Sequence, residues 1–129
     1  MGVALAAGAA VFVAGPAAGE GGADEDAVAM ASCGGPGQAP CPLQAFMRAR
    51  VAAPLASNER EALAAALTRA GRYAPDPSWS SWSSFATEGA AAARAGDIVK
   101  ARAACKGCHD AWRANYRMSH RARPLPAER

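Results

Sequence analysis

Near the end of the chain, Cys105-Lys106-Gly107-Cys108-His109 sets two thiols three positions apart, with an imidazole directly after the second. On an α-helix, positions i, i+3 and i+4 share a face, so these side chains can converge on one object. The chemistry open to that trio is narrow. Each thiol can form a thioether to a vinyl group of haem while the imidazole reaches the iron, and C-x-x-C-H is the attachment signature of haem c. Cys105 and Cys108 are therefore the expected cofactor-binding residues, and His109 the expected axial metal ligand.

Two other uses of paired cysteines compete. C-x-x-C alone serves as a redox dithiol or as half of a zinc site. A thioredoxin-like dithiol expects a βαβ setting, and no alternation of strand and helix patterns occurs here. A structural zinc site would recruit Cys33 and Cys41 to complete four thiolates. It would leave His109 and the helical flanks without a purpose.

The elements that must position this motif follow from apolar spacing. After Pro42, a residue suited to the first helical turn, Leu43, Phe46, Met47 and Val51 form one stripe, and Pro54 is expected to end or kink that helix. Asn58 with Glu61 three residues on predicts a cap for a second helix, striped by Leu63, Ala66, Leu67 and Ala70 and stopped at Gly71. Asp76-Pro77 predicts the start of a third, with Trp79, Trp82, Phe85 and Ala86 on one face and a stop at Gly96. Asp97 is expected to cap a fourth helix from Ile98 to about Met118, which carries the motif. Four amphipathic helices on short connections predict an all-α four-helix bundle in a short form, with covalent haem on the last helix.

The chain has 129 residues, enough for one small domain, and its hydrophobic content of 51% is dominated by alanine. Alanine buries little area, and thin cores usually need a staple or a cofactor. Residues 1–18 resemble a signal peptide: an apolar run from Val3 to Val13, then small residues around Ala17 and Ala18. No Lys or Arg precedes Arg48, so a basic leading region would have to lie upstream of Met1. The run is too short to span a bilayer as a stable helix, and no membrane span is expected in the mature form. Residues 19–40, rich in Gly, Ala, Pro and acids, read as a flexible leader ahead of the haem domain at 41–120. Residues 121–129 read as a basic tail. Cys33 and Cys41 could close a small disulfide loop in an oxidising periplasm.

The string Cys105-Lys106-Gly107-Cys108-His109-Asp110-Ala111-Trp112-Arg113 resembles the C-x-x-C-H-x-x-(aromatic)-Arg of the cytochrome c prime family, which carries its haem motif on the last helix of a four-helix bundle. Gln44-Ala45-Phe46-Met47-Arg48 is similar to the family's Gln-(small)-(apolar)-Met run. The resemblance covers roughly residues 42–118; the first three helices look shorter than the family's, and Pro54 interrupts the first. It implies that Met47 is the residue above the iron, that Arg113 lies near a haem propionate or the imidazole, and that two copies can pair through their first two helices.

The sixth iron position separates the functions. Methionine opposite histidine gives a raised potential suited to electron transfer. A merely apolar distal side leaves five-coordinate iron that binds NO or CO. Met47 has a plain alternative as core packing on its stripe. Met118 and His120 follow His109 too closely on one helix to reach the opposite haem face, and His120 is expected in solvent. Trp79, Trp82 and Phe85 can pack on a porphyrin edge or simply fill the core, and Trp112 and Tyr116 are expected on the inward face with His109. The net charge is +3, yet from Asp97 onward eight Lys and Arg stand against three acids. That imbalance suits an acidic redox partner. No recognised nucleic-acid motif accompanies it, and no acid–base constellation points to an enzyme. The expectation is a periplasmic monohaem c-type cytochrome in electron transfer, with gas binding as the alternative.

Overall fold

A computed structural model describes residues 33–128. The expected signal peptide over 1–18, the leader as far as Ser32, and Arg129 lie outside the described residues. From Pro42 onward the described chain is all-α, with no strand. The first helix, α1, runs through three consecutive stretches, Pro42–Phe46, Met47–Ala52 and Ala53–Ser57.

Pro54 does not end α1. In a regular α-helix its ring would press on the carbonyl of Arg50, four residues back. The middle stretch is instead π-helical, and Ala53 N–H donates to Arg48 O, five residues back. That looser turn accommodates Pro54, which is buried. The helix closes at Asn58, in the left-handed region with φ 56°, a conformation asparagine tolerates. Asn58 is thus the end of α1 and not the cap of the next helix, a role taken by Glu59.

The second helix, α2, spans Arg60–Ala70 and stops before Gly71 as expected. The third, α3, spans Ser80–Arg94 and starts later than the Asp76-Pro77 pair suggested. Asp76 accepts a bond from Ser78 N–H at 2.8 Å and its carbonyl accepts from Trp79 N–H at 3.1 Å, so it makes a turn ahead of the helix. Gly96 follows α3 with φ 77°, a left-handed stop that glycine adopts freely. Asp97 caps the fourth helix, α4, by accepting from Lys100 N–H at 2.9 Å. Helix α4 runs through Ile98–Cys108, a second π-helical turn His109–Arg113, and Ala114–Ser119.

Helix α3 packs against both α2 and α4, while α1 packs against α2. The shared core includes Leu63, Ala64, Ala66, Leu67, Ala90, Ala93 and Ala101. Small side chains let backbones approach: a Cβ on Gly89 would stand 3.1 Å from Leu67 Cδ1 and 3.5 Å from Ala104 Cβ. Bulk is supplied at one end, where Tyr73, Trp82 and Tyr116 are buried. Trp82 Nε1 donates to Ala70 O at 2.7 Å, tying α3 to the end of α2.

Residues 33–40, read in the sequence as the end of a leader, form a closed loop. Cys33 and Cys41 are disulfide-bonded. Within the loop Gly34 N–H donates to Ala39 O at 2.7 Å and Gln38 N–H to Gly35 O at 3.0 Å. Cys41 is the residue that caps α1, and its N–H donates to Gln44 Oε1 at 3.2 Å.

Candidate cofactor-attachment site

Asp97 sets the start of α4 and thereby the phase of everything that follows along it. Counting from that cap, Ala101 and Ala104 are buried against the core, and Cys105 and Cys108 are partly buried beside them. Both thiols are free. Burial pushes Cys105 up from its ordinary range, partly offset by the charge of Arg102. Burial, then the neighbouring Cys105, push Cys108 up to about 11.

His109 begins the π-helical turn and is exposed, whereas Trp112 is half-buried and Tyr116 is buried. The inward face is therefore shared by the two thiols, Trp112 and Tyr116, with the imidazole at its edge. Partial burial, then the charge of Arg113, lower the His109 pKa against the opposing pull of Asp110. That direction favours the neutral imidazole, the form that ligates metals. Arg113 itself is exposed on the same turn, and Lys106 pairs with Asp110 one turn away.

Gly107 is where a second helix touches the motif. A Cβ there would stand 2.6 Å from Phe85 Cε1, so the bare backbone admits the Phe85 ring from α3. Further along, Trp112 Nε1 donates to Ser81 Oγ at 2.9 Å, and Trp112 stacks on Trp79 with centroids 4.6 Å apart and 13° between planes. Trp82 lies 5.7 Å from Tyr116. His120 does not stand free in solvent: it is half-buried, its ring 5.5 Å from Trp79 and 6.0 Å from Tyr116. The Tyr116 hydroxyl is a buried side-chain polar atom without a hydrogen-bond partner. Burial raises its pKa, with the charge of Arg123 acting the other way.

Met47 opens the other π-helical turn, half-buried and packed against the core cluster. Helices α1 and α4 are not among the closely packed pairs. The Phe85, Ser81 and His120 contacts escaped the sequence reading; the sign available was aromatic residues recurring on both α3 and α4.

The donor set fits haem c. It comprises two free thiols at helical i, i+3 spacing, a following imidazole biased to its neutral form, and aromatic side chains of Phe85 and Trp112 beside them. It does not fit a four-thiolate zinc site, because Cys33 and Cys41 are bonded to each other. No group of three or more His, Cys, Asp or Glu that could hold a bare metal ion occurs among the described residues. No protein-family profile, curated protein or solved structure matches the chain.

Proposed function

We propose that this chain is a periplasmic, monohaem c-type cytochrome that carries single electrons, folded as a short four-helix bundle with haem c on α4. The observation that carries the reading is the partition of the four cysteines. One pair is consumed in a disulfide at the cap of α1, and the other is left reduced at C-x-x-C-H spacing on a helix. A stable disulfide also favours an oxidising compartment, where haem c is attached.

In this reading Cys105 and Cys108 hold the group through thioethers and His109 binds its iron. Bound there, haem supplies one iron that exchanges a single electron. The residues around it set how that exchange is tuned. With the group bound, Phe85 and Trp112 would shield one side of it from water, and Arg113, on the same turn as His109, would lie beside the imidazole. Arg102, Lys106, Arg113 and Arg117 are all exposed on α4, a basic face suited to an acidic redox partner. Met47 is the proposed sixth ligand. Five-coordinate gas binding is favoured by one observation, that Met47 is packed against the core cluster.

Visible spectra of protein made alongside haem-attachment machinery test both readings. Sharp ferrous α and β bands that CO does not move, lost in Met47→Ala, are expected for electron transfer. A high-spin spectrum that shifts with CO and ignores Met47→Ala would transfer the proposal to gas binding. A colourless product, from a host that matures other c-type cytochromes, would end the haem reading.

A further inference from the structure

The chain after α4 returns to the body of the fold and forms a second candidate site, remote from the cysteines in sequence and independent of the haem reading. Arg123 donates to Tyr73 O at 2.9 Å, and Leu125 packs against the core. Beyond them Glu128 pairs with Arg69 near the end of α2. Beneath this strap lies a cavity of about 220 Å³ lined by Arg69, Arg72, Tyr73, Pro126, Ala127 and Glu128. It falls below the roughly 300 Å³ at which pockets for drug-sized ligands begin.

We propose that this cleft binds a small dianion bearing carboxylate or phosphate oxygens, for which Glu128 is a built-in, displaceable stand-in. Arg69 is already held in place. Its guanidinium sits 5.4 Å from the Phe46 ring centre and donates to Tyr73 Oη at 3.4 Å, so little freedom is lost when it binds an anion. The Tyr73 hydroxyl accepts that bond and keeps its own proton free to donate. Arg72 shares the cavity wall and is exposed. The lining thus carries two guanidiniums against one carboxylate. The Glu128 side chain is 71% exposed, and an exposed ion pair is only weakly held against solvent, so a ligand of two charges can displace it and engage both arginines.

Calorimetric titration of the full chain with inorganic phosphate and with succinate, at an ionic strength fixed with sodium chloride, tests this. The expected result is saturable one-site binding of at least one probe. It should weaken about tenfold or more in Arg72→Gln, the loss expected for one hydrogen bond to a charged group. Glu128→Gln, which removes the internal competitor, should tighten it. Two results would overturn the proposal: no saturable binding of either probe beyond the chloride control, or binding that neither substitution changes. Arg72 is exposed, so its replacement leaves the core intact and its effect is read on a folded protein.

Discussion

The two pairs of cysteines have opposite fates, one on a turning loop and the other on a half-buried helix face. Cys33 and Cys41 face each other across a glycine- and proline-rich loop with Cα atoms 4.9 Å apart, and they bond. Cys105 and Cys108 sit on consecutive turns of one helix, partly covered by the core, and remain thiols. Residues three apart on a helix share a face, so spacing alone does not forbid a bridge there. Burial, however, disfavours the thiolate that oxidation requires. The same residue type closes a loop where the chain turns back on itself and stays a thiol where a helix half-buries it.

The largest effect should come from the helical pair. Replacing Cys105 and Cys108 together by alanine should abolish covalently retained colour in a denaturing gel, while Cys33→Ser with Cys41→Ser should leave it in place. Loss of colour in both would break the division of labour. Next in size is thiol reactivity before attachment. With Cys108 near 11, the folded chain at pH 8 should alkylate there about a hundredfold more slowly than the unfolded chain, whose thiols titrate near 8.5. The rate should climb toward pH 11, because burial holds the proton on. Equal rates for both forms would mean the thiols are not covered in the folded chain.

Smaller effects sharpen the mechanical side. Opening the disulfide by the double serine substitution should cost about 2 kcal/mol of unfolding free energy, the closure entropy of so short a loop, measured by urea denaturation. Gly107→Ala gains helix propensity but drives a methyl group into the Phe85 ring. A net loss of about 1 kcal/mol is expected from overpacking, recovered when Phe85 is shortened to leucine in the same chain.

What the sequence made legible was local. Asp97 as a cap, Gly71 and Gly96 as stops and the apolar stripe of α2 all depend on neighbours within a turn, and all stand where the pattern put them. The errors came where distant contacts decide. Asn58 is a good cap and also a good left-handed residue; the packing of α1 on α2 chooses between those roles. Pro54 looked like a break because one π-helical turn, invisible in composition, makes room for it. His120 looked solvated because nothing in the tail shows that Trp79 will meet it. The spacing of Cys105, Cys108 and His109 on one helix was readable, their aromatic surroundings only as a stripe, and the strap at Glu128 not at all. Both π-helical turns begin at the residues singled out as iron ligands, Met47 and His109, consistent with the tendency of such turns to mark functional positions.

The stacking of Trp79 on Trp112, with Trp82 6.0 Å from Trp79, gathers all three tryptophans of the chain into one patch where α3 meets the end of α4. Tryptophan emission of this protein is therefore a single-site signal. Stacked indoles couple as excitons, so the indole bands of the dichroism will follow the seam between α3 and α4 with high contrast. An observer who needs to watch the disulfide end by emission must install a tryptophan there.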